Sequence, residues 1–176
     1  MQKGFTIISC ILLFFLTAHN GLQAQTCNTA SIPPSTPDTQ LLDHGDGTIS
    51  DTKTGLMWKK CAEGLSGENC DTGSVSTFNW QQALEQPGIV NSSGFAGYTD
   101  WRLPNIKELT SIVEEQCYHP AININRFPGT PSSVFWSASA DSGYSGYAWV
   151  VYFVNGGSGN GHRDVSRLVR LVRGGQ

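Results

Sequence analysis

The chain has 176 residues, with 11 Lys and Arg against 14 Asp and Glu, a formal net charge of −3. Nucleic-acid binding calls for a basic surface, so this balance predicts no nucleic-acid partner. Its 20 glycines, 5 tryptophans and 14% charged residues are typical of a compact, turn-rich and strand-rich secreted module.

Residues 1–24 have the pattern of a secretory signal peptide. Lys3 precedes an apolar run from Phe5 to Ala18, which is shorter than the roughly 20 residues of a membrane span. Leu22-Gln23-Ala24 then offers a cleavage site. We expect cleavage after Ala24, a mature chain that does not span a membrane, and a secreted or periplasmic location. An uncleaved anchor is the alternative.

Four cysteines remain after cleavage: Cys27, Cys61, Cys70 and Cys117. An even number in an exported chain predicts disulfides, and three pairings are possible. We favour Cys61–Cys70, which closes a short glycine-rich loop, and therefore Cys27–Cys117. A metal site is the rival interpretation. It needs clustered ligands, whereas the four histidines are scattered and no C-x-x-C pair occurs, so we predict no metal and no cofactor.

Residues 25–40, rich in Pro, Ser and Thr, predict an extended lead-in to a domain at 41–176. That domain starts with a predicted three-stranded meander over 41–60. Asp46-Gly47 favours its first hairpin turn because both central positions of a type I′ turn require positive φ.

The meander also carries three aspartates, Asp43, Asp46 and Asp51. Carboxylates at close spacing are calcium ligands in some loops, but the EF-hand spacing is absent. Aspartate equally favours turns by bonding to nearby backbone. We therefore interpret the three as turn residues and keep calcium as the alternative.

Two helices are predicted, each beginning with a capping box. Asn79 and Gln82 cap the first, which we expect to end at Pro87-Gly88 and to be followed by a Gly/Ser loop to residue 97. Trp80, Ala83 and Leu84 share its predicted buried face.

Asn105 and Glu108 cap the second predicted helix, just after the stretch Asp100-Trp101-Arg102-Leu103-Pro104. Its apolar positions recur at helical spacing; they are Ile106, Leu109, Ile112 and Val113. We expect Glu114-Glu115 to mark its exposed end.

Three strands are predicted towards the C-terminus, over 134–139, 147–153 and 167–173. The glycine-rich segment 155–161 between the last two predicts a flexible loop. The fold class is therefore α+β. Four tryptophans adjoin regular elements and are predicted to pack in the core; they are Trp58, Trp80, Trp101 and Trp136.

Six markers, in order, resemble those of the Lcl C-terminal domain family, an exported bacterial domain. The markers are Asp46-Gly47-Thr48 with Thr54-Gly55-Leu56-Met57-Trp58; Trp80-Gln81-Gln82-Ala83-Leu84; Asp100 to Leu109; Phe135-Trp136-Ser137-Ala138-Ser139; Tyr147-Ala148-Trp149; and Val169-Arg170-Leu171-Val172-Arg173. The resemblance covers about residues 40–173.

The resemblance implies a C-type-lectin-like fold, with two helices beside short, twisted antiparallel sheets and the ends of the domain brought together. The family's namesake is an adhesin that binds sulfated glycosaminoglycans. This chain departs from it, since it has no collagen-like repeat and no large basic excess. It also lacks the E-P-N and W-N-D motifs of calcium-bridged lectin sites.

Candidate ligand-binding residues follow from aromatic and arginine side chains in the later loops. Tyr144 and Tyr147 suit stacking on sugar rings, and Arg163 and Arg167, together with loop residues 155–162, suit an anionic or sugar ligand. Arg102 lies just before a helix N-terminus, where anions bind. Each arginine has a structural alternative, such as Arg102 bonded to loop carbonyls or to a carboxylate such as Asp100.

We therefore expect a binding or adhesion module that recognises a glycan or another surface ligand and is not an enzyme. No G-x-S-x-G motif or paired carboxylate site occurs. The first alternative is an enzyme related to the formylglycine-generating oxidases, which share the wider fold and depend on reactive cysteines. The second is a structural subunit of an envelope assembly.

Overall fold

The computed structural model describes residues 24–174. The predicted signal peptide apart from Ala24, and the last two residues of the domain, lie outside this part. Within it the chain forms two α-helices and eleven short strands in four antiparallel sheets. The predicted α+β class is confirmed. Neither of the helices in this part has the length and apolar character needed to cross a membrane.

The elements follow one another along the chain with short connections. The strands before the helices are β1 (Thr26–Cys27), β2 (Leu41–Asp43), β3 (Thr48–Asp51), β4 (Leu56–Lys59), β5 (Leu65–Ser66) and β6 (Thr72–Gly73). The helices are α1 (Trp80–Ser93) and α2 (Ile106–Thr110). The later strands are β7 (Cys117–Tyr118), β8 (Val134–Ala140), β9 (Tyr147–Tyr152), β10 (Gly157–His162) and β11 (Val172–Gly174).

A four-stranded sheet in the order β11-β4-β3-β2 joins the two ends of the domain. Its last three strands are the predicted meander, which is confirmed. The predicted two-residue turn is wrong, because positive φ occurs at Gly45 and Gly47 and not at Asp46. Asp46 instead accepts hydrogen bonds from the backbone and hydroxyl of Thr48.

All three meander aspartates make turn contacts, as predicted. Asp43 accepts from Gly45 N and from the Lys60 ammonium. Asp51 accepts from Lys53 N and from the Thr54 hydroxyl. Across residues 24–174 no group of three His, Cys, Asp or Glu side chains is placed to hold a metal ion.

A three-stranded sheet, β10-β9-β8, separates two apolar clusters. Phe135 and Val151 point to one face, where they pack with α2 and the four-stranded sheet. Trp136 and Val150 point to the other face, where they pack with Trp101 and α1. Trp58, Trp101 and Trp136 are buried as predicted, whereas Trp80 is half-buried.

Helix α1 has the predicted capping box of Asn79 and Gln82. The predicted end at Pro87-Gly88 is wrong, since the helix continues to Ser93 and is closed by the C-cap Gly94, whose φ is 64°. A proline inside a helix costs about 3 kcal/mol. Buried Ala83 and Val90 lie on either side of the proline, so packing holds both halves in place. Leu84 does not join them and is 37% exposed.

Helix α2 has the predicted capping box of Asn105 and Glu108 but ends at Thr110. Ile112 and Val113 are buried beyond its end. The expectation that Glu114 is exposed is wrong, because its carboxylate accepts hydrogen bonds from Ser35 and Thr36. Glu114 thereby holds the lead-in segment against the domain.

Two later segments also differ from expectation. The predicted strand 167–173 is regular only over Val172–Gly174, because its earlier residues bond in turn to Phe78, Val134, Trp136 and Glu63. Residues 157–162 form β10 instead of a flexible loop. A Cβ at Gly159 would lie 2.9 Å from Tyr152 Oη and one at Gly161 2.7 Å from Arg167 Nη2, so glycine permits these close contacts.

Both favoured disulfides are present. Cys61–Cys70 closes the short loop, and Cys27–Cys117 joins β1 to β7 across a sequence separation of 90 residues. Gln25 reinforces the second link by donating to the carbonyls of Pro120 and Ile122, both at 2.7 Å. The lead-in is thus fixed at its start by Gln25 and Cys27, and further along by the Glu114 contacts with Ser35 and Thr36.

Candidate functional site

Strand β9 presents Tyr147 and Trp149 on one face of the three-stranded sheet, since side chains alternate along a strand. Val151, next on that face, is buried in the cluster that includes Leu109 of α2. Trp149 and Tyr147 are only half-buried. The face therefore leaves the core at Trp149 and opens to solvent at Tyr147.

The adjacent strand β10 adds polar side chains to this face. Asn160 lies opposite Trp149, and His162 lies opposite Tyr147. The Tyr147 ring meets the His162 ring edge-on at 5.3 Å and the Tyr144 ring at 5.9 Å. Tyr144 is 64% exposed. We call the surface formed by Tyr144, Tyr147, Trp149, Asn160 and His162 the aromatic platform.

Asp141 adds a carboxylate beside the aromatic platform. It accepts hydrogen bonds from the Asn160 amide and from Gly143 N. The Asn160 amide, more than any other group, holds the pKa of Asp141 below its ordinary value. The platform therefore offers a fixed amide and an ionised carboxylate next to its rings.

Arg163 supports the platform from the neighbouring turn. Its guanidinium lies 4.2 Å from the centre of the Trp80 ring. Its Nε donates to the carbonyl of Tyr147 at 3.0 Å, and its backbone N donates to Gly146. The structure thus brings Arg163 to Tyr147, and its Nε is used in holding the turn.

Arg167 lies on the opposite face of the sheet from Tyr147. Its guanidinium is 5.2 Å from the Trp136 ring and packs over Gly161, whose strand partner is Ala148. Since Ala148 belongs to the α1 side of the sheet, Arg167 and the platform tyrosines do not share a surface.

Arg102 belongs to a third location. Its two terminal nitrogens donate to the two carboxylate oxygens of Glu108, each at 2.7 Å, and one also donates to the carbonyl of Gly174. The carboxylate partner is Glu108 and not the expected Asp100, which pairs with Arg173 instead. This contact ties the start of α2 to β11.

The platform carries charges of both signs. After the hydrogen bond from Asn160, the positive charge of Arg163 also contributes to the lowered pKa of Asp141, and His162 Nδ1 lies 3.5 Å from Asp164. A polyanion binds best to a surface of one positive sign. The platform is therefore a mixed polar surface with exposed rings and not a basic stripe.

The arrangement closest to a nucleophile and its base is His44 with Ser50, whose Nε2 and Oγ are 2.8 Å apart on the surface. Among the described residues, no carboxylate bonds to the other ring nitrogen of His44, and such a group orients the base in hydrolases. The four cysteines of the described part of the chain are all in disulfides.

Trp149 and Asp141 were not predicted as site residues, and Asn160 was included only as part of the loop 155–162. A usable signal was present in the alternation Tyr147-x-Trp149, which places two aromatics on one face of a strand. The polar half of the site could not be predicted from the glycine-rich segment, because Asn160 and His162 lie beside the aromatic residues only when that segment pairs with β9 as strand β10.

The sequence-family model described as the Lcl C-terminal domain matches residues 47–173 of the chain. This range contains the four-stranded sheet from its β2–β3 turn onward, both helices and the whole aromatic platform. Among curated proteins, no relative matches the chain.

Proposed function

Since the chain belongs to the Lcl C-terminal domain family, we propose that it is an exported, non-catalytic binding or adhesion module. Its ligand is a glycan on a surface, bound at the aromatic platform. The observation that carries the proposal is the pairing of Tyr147 and Trp149 on β9 with His162 and Asn160 on β10.

The chemistry of the platform suits a sugar. One face of a sugar ring is apolar and packs on aromatic side chains, which combine apolar area with few rotatable bonds. The sugar hydroxyls both donate and accept, so they match the Asn160 amide and the Asp141 carboxylate. The edge-on contacts among Tyr144, Tyr147 and His162 hold the rings in place before binding.

The export part of the proposal is supported by the disulfides. Such bonds persist in oxidising compartments, and Cys27–Cys117 and Cys61–Cys70 both fall within the predicted mature chain. Cell fractionation tests the location. Recovery of the protein in the periplasm or medium supports export, and recovery in the cytoplasm contradicts it.

A glycan array probed with the purified protein tests the binding function. We expect the protein to bind selectively to a small group of glycans, and we expect the Tyr144→Ala and Trp149→Ala variants to lose this binding. Tyr118→Ala is the matched control, since Tyr118 is 48% exposed and lies on β7, outside the platform. Equal losses in Tyr118→Ala and Tyr144→Ala, or no retention at all, would overturn the proposal.

Titration of free thiols in the native protein separates this function from the oxidase alternative. Two or more reactive thiols would contradict a non-catalytic module and favour an enzyme that uses cysteine. A stable envelope complex that forms equally well with Trp149→Ala would instead favour the structural-subunit alternative.

A further inference from the structure

A cleft of about 560 Å³ lies between the β2–β3 turn, the end of β4 and the loop closed by Cys61–Cys70. None of the platform residues lines it. Its volume falls within the roughly 300–1,000 Å³ of small-molecule sites. Its walls and rim include Asp43, Asp46, Lys59, Lys60, Leu65 and Phe95, and we call it the lysine cleft.

The deep charges of the lysine cleft are already paired. Lys60 Nζ lies 2.7 Å from Asp43 Oδ2, and Lys59 Nζ lies 2.6 Å from Glu63 Oε1. The Lys60 side chain is only 7% exposed and that of Lys59 12%. Burial by itself would raise the pKa of Asp43, but the hydrogen bonds from Lys60 and Gly45 outweigh it and hold this pKa below its ordinary value.

Paired charges favour a neutral ligand. An ammonium has three N–H donors, and within residues 24–174 Lys59 and Lys60 each have one carboxylate partner. Lys60 therefore keeps N–H donors for a ligand oxygen, Lys59 Nζ also lies 4.6 Å from the centre of the Phe95 ring, and the Asp43 carboxylate retains lone pairs for a ligand donor. A hydroxyl group does both without breaking an ion pair, whereas a charged group must compete with the partner already present.

One side of the lysine cleft is apolar and fixed. Phe95 meets the Trp101 ring edge-on at 5.6 Å. Gly47 makes room for it, since a Cβ there would lie 3.0 Å from Phe95 Cζ. Leu65 is the second apolar wall. A ligand that fits must therefore have an apolar face as well as hydroxyl groups.

The rim is acidic. Asp46 and Glu68 are both exposed at the edge of the cleft. Like charges repel, so sulfate, phosphate and carboxylate substituents on a ligand are disfavoured at the opening. This selects against anionic ligands before they reach the lysines.

We propose that the lysine cleft binds a neutral, hydroxyl-rich ring ligand of the size of one or two sugar units. Phe95 and Leu65 receive its apolar face, and the Lys59 and Lys60 ammoniums and the Asp43 carboxylate receive its hydroxyls. This site is separate from the aromatic platform and does not depend on the proposed function of that surface.

Amide NMR titrations of the purified protein test the site directly. The probes are glucose, galactose and N-acetylglucosamine at millimolar concentrations, with N-acetylglucosamine 6-sulfate as the anionic counterpart. We expect at least one neutral sugar to shift the amides of Gly45, Gly47 and Gly67, and the sulfated sugar to shift them less. Shifts confined to platform amides, or stronger binding of the sulfated sugar, would overturn the proposal, as would no shift with any neutral probe.

Ser66→Trp fills the opening and is expected to abolish these shifts, while Ser92→Trp on the exposed side of α1 leaves them unchanged. Glu68→Lys is a further test that does not depend on whether Ser66→Trp folds. Glu68→Lys reverses an exposed rim charge and is expected to strengthen binding of the sulfated sugar by about two- to fivefold while neutral sugars are unaffected. No gain in Glu68→Lys would contradict the proposed preference of the cleft for neutral over anionic ligands.

Trp149→Ala, which removes a platform ring, separates the two sites. Loss of array binding with unchanged cleft shifts supports both sites. Loss of cleft shifts in Trp149→Ala would contradict the separate cleft and leave the platform proposal standing.

Discussion

The side-chain amide of Asn91 forms a two-bond pair with the backbone of Trp101. Its Nδ2 donates to the Trp101 carbonyl at 2.9 Å, and its Oδ1 accepts from Trp101 N at 2.8 Å. The amide therefore replaces a strand partner for Trp101 and joins the last turn of α1 to the stretch before α2. It also holds the part of α1 that follows Pro87.

Asn91→Ala is expected to lower the free energy of unfolding by about 2–3 kcal/mol, because two backbone groups lose their partners beside buried Trp101. Urea unfolding followed by tryptophan fluorescence measures it. Gln81→Ala is the control, since its amide bonds to Glu85 on the exposed side of α1, and it is expected to change stability by less than about 0.5 kcal/mol. Similar values for both variants would contradict the role given to Asn91.

Glu114 is expected to make stability depend on acid pH. Burial by itself would raise the pKa of Glu114, but hydrogen bonds from Ser35 and Thr36 outweigh it, so this pKa lies below its ordinary value. A carboxyl with a lower pKa in the folded state stabilises the fold above its unfolded pKa, and this contribution is lost as pH falls through the folded pKa.

Glu114→Gln should therefore destabilise the protein by about 2 kcal/mol at pH 7, and the difference from the native protein should shrink below about pH 4. Urea unfolding at a series of pH values measures this. Glu115→Gln, at the exposed neighbouring position, is the matched control. A difference for Glu114→Gln that stays constant down to pH 3 would contradict the linkage.

Arg170 is expected to be a structural requirement. It is fully buried, its guanidinium donates to the carbonyls of Lys59 and Lys60 and to the Thr130 hydroxyl, and burial lowers its pKa to about 9. Arg170→Met leaves these oxygens without a donor and should lower the free energy of unfolding by about 2–4 kcal/mol.

Thermal and urea unfolding measure the effect of Arg170→Met. Arg126→Met is the comparison, since Arg126 lies 3.7 Å from Asp38 with its side chain 30% exposed. That change is expected to cost about 1 kcal/mol or less. Equal costs for the two arginines would show that the buried bonds of Arg170 contribute little.

The two disulfides should differ in their contribution. In the chain-entropy description, the 90-residue separation of Cys27–Cys117 corresponds to about 4.6 kcal/mol and the 9-residue separation of Cys61–Cys70 to about 2.6 kcal/mol. Unfolding of the Cys27→Ser/Cys117→Ser and Cys61→Ser/Cys70→Ser double variants measures both. A larger loss in the second pair would show that the native contacts of the short loop outweigh chain entropy.

Local signals in the sequence were sufficient where the interaction itself is local. Both capping boxes, Asn79 with Gln82 and Asn105 with Glu108, involve residues three apart and were predicted correctly. The end of α1 depends instead on Asn91 meeting Trp101 ten residues later. That contact, with the buried residues on either side of Pro87, outweighs the local preference of proline to end a helix.

The candidate site was predicted only in part for the same reason. Tyr144 and Tyr147 were found from their residue type and loop position, and the fold places Arg163 beside them. Arg167 is an arginine like Arg163, but the path of the closing segment places it over Trp136, on the face of the sheet opposite to the platform tyrosines. Asn160 joins the site only through pairing with β9.

The register of the four-stranded sheet has a consequence for how this domain can be rearranged. Leu41 pairs with Asp51, Asp51 with Leu56, and Leu56 with Gly174, so the first and last strand residues lie in one row. Three strand spacings separate them, about 14 Å. A linker of about five residues spans that distance, so residues 41–174 have ends placed for insertion within a loop of a host protein. Such an insertion, or a circular permutant joined from Gly174 to Leu41, leaves out the lead-in and should therefore be less stable by the contributions of Cys27–Cys117 and of the Glu114 contacts.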